Sequence, residues 1–261
     1  MGFLLRICLV ITMSLTLLWE PSFAQPQEPL PIPVGRVVWI KGELRAIMPH
    51  QEERILKKSS VIYLHDTLVT NAESQAQIVF TDNTLMTFKP NTKFYIDQYS
   101  YRPQPKGKSV GKFIMRLIEG GFRTITGLIA ENNPTDYVVN TPVATIGVRG
   151  TDYAAYYSNG EILMAFYSGI PCVTNAQGTL CLDRNTPFAR VTKDQPPEGL
   201  TERPAVFDET LPIEPAEIGL FTDTTTPSAG TTSTPTEGRS GDRRTPDRAP
   251  TGPVNSFCIT Q

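Results

Sequence analysis

Histidine is the side chain that exchanges a proton near neutral pH and the commonest metal ligand. This chain has two, His50 and His65, with no acidic cluster beside either. They specify neither a metal site nor a general base. Asp82, Asp136, Asp152 and Asp183 lie in or beside turn-forming stretches, where Asp caps backbone groups, and no spacing pairs them for acid–base work. Gly-x-Ser-x-Gly, a phosphate-cradling glycine loop and His-Glu-x-x-His are all missing from the sequence. The residue types therefore point to no enzyme, no cofactor and no metal. Cysteine offers the one covalent reading. Cys172 and Cys181 enclose Val-Thr-Asn-Ala-Gln-Gly-Thr-Leu. If residues 175–178 form a hairpin loop, Thr174 faces Thr179, Val173 faces Leu180, and Cys172 faces Cys181 within reach of a disulfide. The spacing is not the Cys-x-x-Cys of a redox pair. Cys258 is left over, free or paired with another molecule.

The densest pattern runs from Thr141 to Tyr153: Thr-Pro-Val-Ala-Thr-Ile-Gly-Val-Arg-Gly-Thr-Asp-Tyr. Val143, Thr145, Ile146, Val148 and Thr151 favour extended backbone. Gly147 and Gly150 are expected where the backbone bends or packs too closely for a side chain. Arg149 sits between them. Its functional reading is a contact with a ligand or partner at a glycine-lined surface. Its structural reading, the favoured one, is a guanidinium tucked into a corner and donating to carbonyls left open by the turn. On that reading Arg149→Lys destabilises the fold, because an ammonium cannot reproduce the fork.

Other side chains recur in groups. Arg102, Lys106, Lys108, Lys112, Arg116 and Arg123 cluster with only Glu119 opposing. A solvated basic loop is the commoner explanation of such a run; a patch for an acidic partner is the functional one. Tyr95, Tyr99 and Tyr101, and again Tyr153, Tyr156 and Tyr157, form aromatic rows. These fill β cores more often than they stack on sugars or proteins. The net charge of −2 conceals an asymmetry, with 18 Lys and Arg against 15 Asp and Glu in residues 35–200 but 5 against 9 in residues 201–261. So modest a charge gives little case for nucleic acid.

The elements that must hold these residues are short β runs. Residues 35–40, 61–64, 67–70, 75–81, 84–88, 94–96, 112–118, 122–125, 137–139, 154–157 and 162–167 are rich in Val, Ile, Thr, Tyr and Phe, and Asn, Asp, Gly or Pro punctuate them. Residues 127–132 are the sole modest helix candidate. The spacing predicts an all-β fold, whether sandwich, barrel or solenoid. The span from residue 35 to residue 195 is ample for one core.

The run from Thr141 resembles the signature of the FecR domain, T-P-x-A-x-x-G-V-R-G-T, met here by Thr141, Pro142, Ala144, Gly147, Val148, Arg149, Gly150 and Thr151. Residues 66–84 and the turn Pro90-Asn91-Thr92 are similar to the family's opening stretch, and residues 160–169 to a later hairpin. The resemblance covers about residues 35–190. It implies a wound, β-solenoid-like domain, and a module of extracytoplasmic signalling or interaction without catalysis, working through an envelope protein partner. The family's well-known members resemble three-part proteins, with a cytoplasmic sigma-factor-binding segment, one membrane helix and the periplasmic domain. No such segment is expected here, which weakens a direct anti-sigma role. A carbohydrate- or cell-wall-binding module, with the aromatic rows as its platform, is the alternative.

The ends complete the organisation. Arg6, an apolar run over residues 7–18 that includes Cys8, and Ser22-Phe23-Ala24 read as a Sec-type bacterial signal peptide over residues 1–24. The run is short for a bilayer span, which needs roughly 20 apolar residues. A linker over residues 25–34 follows, then the domain at 35–195, then an extended segment at 196–221. Residues 222–261 are rich in Thr, Pro, Ser and Gly and read as a disordered tail, passive or spanning the wall. No later segment is long and apolar enough to cross a membrane. The expected location is the periplasm or the cell exterior.

Overall fold

The computed structural model describes residues 30–49, 51–105, 109–209 and 211. The expected signal peptide, His50, Lys106, Lys108, the tail and Cys258 lie outside the described residues. Within them the chain is all-β, in the order β1 (Pro33–Lys41), β2 (Leu44–Ile47), β3 (Arg54–Leu56), β4 (Val61–Tyr63), β5 (Thr67–Thr70), β6 (Gln75–Phe80), β7 (Leu85–Phe88), β8 (Lys93–Pro103), β9 (Ser109–Ile125), α1 (Leu128–Asn132), β10 (Tyr137–Asn140), β11 (Thr145–Ser158), β12 (Glu161–Asn175), β13 (Gly178–Cys181), β14 (Phe188–Thr192) and β15 (Glu198–Leu200). The short helix falls where the sequence placed it. Strands β2, β3, β14 and β15 are not among the runs read from the sequence.

All the strands belong to one open sheet, and among the described residues no ladder closes it into a barrel. The ladders are antiparallel except between β9 and β10, so the stacked parallel coils of a solenoid are not what joins these strands. Strand β9 is the spine. Its first part lies between β8 and β10, and its last part between β7 and β11. The sequence reads residues 119–121 as the end of a strand. The strand instead passes through them, because Gly120 adopts φ +76° and turns the pleat without ending the ladder.

Alternation sorts the side chains. Phe113, Met115 and Leu117 of β9 face inward and are fully buried, while Lys112, Arg116 and Ile118 face out. The core is aromatic. Phe113 packs against Phe80 at 4.6 Å and Tyr137 at 5.5 Å, and Phe122 against Tyr153 at 5.8 Å, each edge to face. Such pairs add about 0.5–1.5 kcal/mol each beyond the area they bury. Burial raises the pKa of both Tyr137 and Tyr153, so both stay neutral.

One buried carboxyl ties the sheet to α1. Asp82 accepts from the Thr84 backbone N at 3.1 Å and the Thr84 hydroxyl at 2.8 Å, while the Tyr99 hydroxyl lies 3.3 Å from the same carboxyl. The Thr84 hydroxyl accepts from Gly127 N, and the Asp82 carbonyl from Leu128 N at 2.9 Å. This is capping work, as the turn position of Asp82 implied. The fold continues beyond residue 195. Strand β15 pairs with β14, Phe207 and Leu211 are buried, and Gln75 donates to Glu209 at 3.0 Å.

Candidate interaction surface around the 141–151 segment

Thr141 builds the turn between β10 and β11. Its hydroxyl accepts from Ala144 N at 3.0 Å and donates to Ala144 O at 2.8 Å. Pro142 is exposed in that turn, and Ala144 is buried beneath it. Beyond the turn β11 alternates. Ile146 and Val148 enter the core, and Thr145, Gly147 and Arg149 face outward. A Cβ on Gly147 would meet nothing within 4 Å. The expected close packing is therefore not the reason for this glycine.

Gly150 carries the structural load. It adopts φ +54° inside a break in the β11–β12 register between Arg149 and Asp152. Up to Gly147 the strand lies beside β10; from Asp152 on it lies beside β9. The bulge performs that transfer. It is locked by Thr126, whose hydroxyl accepts from Thr151 N at 2.9 Å, while Thr126 N donates to Thr151 O at 2.9 Å. Gly169 crosses so closely that a Cβ there would lie 2.1 Å from the Gly150 carbonyl oxygen. Just past the bulge, Asp152 accepts from Arg123 through both its oxygens, at 3.0 and 2.8 Å, and the Arg123 guanidinium lies 4.2 Å from the centre of the Tyr167 ring. The hydrogen bonds to Asp152 raise the pKa of Arg123 against the opposing effect of burial.

Arg149 is not tucked into the corner. It is exposed and makes no hydrogen bond or ion pair among the described residues. The expectation that it satisfies turn carbonyls is thus corrected, and with it the expected cost of Arg149→Lys. The physical reason is parity. The bulge begins after Arg149, so Arg149 keeps the outward orientation of Thr145 and Gly147.

The outward face of which it is part spans β8 to β13. Directly paired residues share a face of a sheet. Arg102 pairs with Val110, Ser100 with Lys112, and Tyr95 with Arg116. Arg116 pairs in turn with Asn140, Asn140 with Thr145, and Thr145 with Thr174. Arg149 pairs with Ile170, and Gly147 with Cys172, which is joined to Cys181 by a disulfide. The register Cys172–Cys181, Val173–Leu180 and Thr174–Thr179 is the one read from the sequence. The loop is tighter than expected, since Asn175 pairs with Gly178 and its carboxamide caps Gln177 N and Gly178 N.

The candidate basic patch is divided. Arg102, Lys112 and Arg116 share the outward face with Arg149, and Arg116 is paired with Asp97 at 2.7 Å. Arg123 stands apart, neutralised by Asp152. Large apolar side chains are exposed on the same face: Val110 at 60%, Ile170 at 51% and Ile118 at 39%. Sequence reasoning missed Ile170, although a signal existed. Counting back from the Asn159-Gly160 turn puts Arg149 opposite Ile170, because the two register shifts between them cancel.

The remaining candidates do not converge. His65 meets the Tyr95 hydroxyl at 3.2 Å. Tyr99 is a core residue, packed on Phe113 at 4.8 Å, with its hydroxyl bound to Thr81 at 2.7 Å and to Asp82 N at 2.9 Å. Tyr101 packs against the core and Tyr153 is fully buried. Tyr99, Tyr101 and Tyr153 are therefore core packing, while Tyr95, Tyr156 and Tyr157 stay half-buried, so neither row is a continuous exposed platform. Among the described residues no helix is long and apolar enough to cross a membrane. No curated protein matches the chain. A family model described as FecR protein matches residues 66–170, from the start of β5 into β12, a narrower span than the resemblance suggested, and the match includes the whole 141–151 segment.

Proposed function

We propose that this chain is an exported, non-catalytic interaction module of envelope signalling, and that it meets its protein partner through the outward face around Arg149. FecR proteins act in signalling and regulation with partner proteins, and a disulfide fits an extracellular or periplasmic location. The observation that carries the reading is the position of Arg149. The other polar members of its segment have structural work: Thr141 caps a turn, and Thr151 is held inside the bulge. Arg149 alone presents an uncommitted guanidinium to solvent, beside the exposed Ile170 and on the same face as Lys112 and Arg102. Exposed apolar side chains rimmed by cations suit a protein surface that is acidic at its edge. Arg is also the side chain best fitted to grip carboxylates in bidentate fashion.

The test is photocrosslinking in cells. A crosslinking residue at Thr145 or Thr174, both on the face, is compared with one at Ile55, on the short edge strand β3. The reading expects one protein adduct from the first two positions, none from the third, and loss of the adduct in Arg149→Glu with an unchanged melting temperature. Equal labelling from all three positions, or an adduct indifferent to Arg149→Glu, overturns it.

A further inference from the structure

We infer that a second site lies in the cleft where β5, β8, β9 and β11 meet with the turns beside them, and that its ligand is a neutral polysaccharide chain. The cleft has a volume of about 550 Å³ and is bordered by Asn71, Asn91, Lys93, Glu119, Tyr157 and Ser158, among others. It shares Tyr156 and Ser158 with an adjoining cavity of about 390 Å³ that reaches Asn159 and Leu163, and Leu163 also borders a third of about 450 Å³. The three make one trough. Lys93 shares its side of β8 with Tyr95, but Asn91, Ser158 and Asn159 are not among the paired residues of the face around Arg149, so the inference stands or falls independently of the proposed function.

The chemistry of the walls selects the ligand. Sites for drug-like molecules are enclosed and mostly apolar. This trough is open and lined with carboxamides, a hydroxyl and half-buried tyrosines, which offer hydrogen bonds and ring surface together. Among the described residues, the side chains of Asn91, Ser158 and Asn159 make no hydrogen bond, and Lys93 and Glu119 make no ion pair, so all are available to a ligand. Charge is balanced along the trough. Lys93 stands opposite Glu119 in the β8–β9 ladder, Arg45 is bridged to Glu43 and Glu53, and Glu161 to Arg190 at 3.0 Å. A polyanion or polycation gains nothing from such a lining. A peptide adding itself as a strand needs an open sheet edge, whereas β5, β8, β9 and β11, which wall the first cavity, are each paired on both sides. A chain of uncharged sugar units matches the length, the polarity and the charge balance.

Asn91 and Asn159 adopt φ of +53° and +52°, so glycine replaces either without backbone strain while deleting its carboxamide from the trough. The experiment screens the full chain on an array of neutral and charged oligosaccharides, then titrates the best neutral binder as di- and tetrasaccharide by calorimetry. The inference expects binding of a neutral glycan that strengthens from two units to four. It expects roughly a tenfold loss of affinity in the double variant Asn91→Gly, Asn159→Gly, in keeping with lost hydrogen bonds, and a comparable loss in Ser158→Ala, with unchanged melting in both. Binding of charged glycans alone, binding of none, or affinity indifferent to these substitutions overturns it.

Discussion

Whether Arg149 builds the fold or serves a partner is decided by comparing two substitutions that touch the same bulge. Thr126 is 6% exposed, and its hydroxyl is the acceptor for the Thr151 backbone N–H at 2.9 Å. Thr126→Val keeps the shape and removes the acceptor. A buried N–H left without a partner costs about 1–3 kcal/mol. In a domain of this size each kcal/mol moves the melting temperature by about 2–4 °C, so the expected fall is on the order of 2–12 °C. Arg149→Lys removes no bond among the described residues and changes an exposed side chain. Surface changes of this kind stay within about 0.5 kcal/mol, or about 2 °C. Melting both variants beside the wild type, by calorimetry or near-ultraviolet circular dichroism, gives the answer in one series. A fall for Arg149→Lys that equals or exceeds that for Thr126→Val would refute the reasoning, for it would mean that the guanidinium supports the bulge after all.

Other substitutions test the remaining parts of the account. Gly169→Ala places a Cβ 2.1 Å from the Gly150 carbonyl at φ +80°, and a loss of several kcal/mol is expected, on the order of 3; Gly147→Ala, in open space, should melt as wild type does, and equal effects in the two would contradict the geometry. Replacing Cys172 and Cys181 by Ser opens a link of sequence separation 9. The chain-entropy argument gives about 2–3 kcal/mol, and reductant should lower the wild-type melting temperature to that of the double variant, while leaving the variant unmoved. Asp82 supplies a pH test. Burial, the largest influence, lifts its carboxyl above 3.8 despite the hydrogen bonds from Thr84 and Tyr99. The folded state therefore holds this proton more tightly than the unfolded one, and the group's contribution to stability falls as pH rises through the window from 3.8 to the folded value. Asp82→Asn cannot ionise, so its melting temperature relative to wild type should be more favourable at about pH 7 than at about pH 4; an identical difference at both would show that the carboxyl does not titrate in that window.

What could be read in advance was local. The pairing of Cys172 with Cys181, the capping role of Asp82 and the short helix each follow from a few adjacent residues, because a turn carries its own chemistry. Glycine was less legible. Gly120-Gly121 looked like a strand end, and Gly147 like a close approach, since glycine marks a bulge, a tight crossing or a bare outward position alike; only the neighbouring strand distinguishes them. The trough was invisible for a different reason. Asn71 and Asn91 stand in turns, Glu119 inside β9 and Ser158 at the end of β11, and nothing near any one of them announces the others. They meet because the end of β5, the start of β8, the Gly120 bend of β9 and the end of β11 come to one place.

Strand β11 shows how one segment holds structure and recognition apart. Its pleat sends Ile146 and Val148 into the core and Thr145, Gly147 and Arg149 to solvent. The bulge at Gly150 then changes its neighbour from β10 to β9, and Tyr153 again enters the core. The inward positions and the bulge are bound by packing and by Thr126, so change there is read in stability. The outward positions touch little, so change there is read in whatever contacts the face. Substituting the positions in turn should therefore give two alternating profiles, with melting temperature falling at Ile146, Val148 and Thr151, and partner capture falling at Thr145, Gly147 and Arg149. If both readouts fell at the same positions, the face around Arg149 would be part of the scaffold and the contact would have to be sought elsewhere on the molecule.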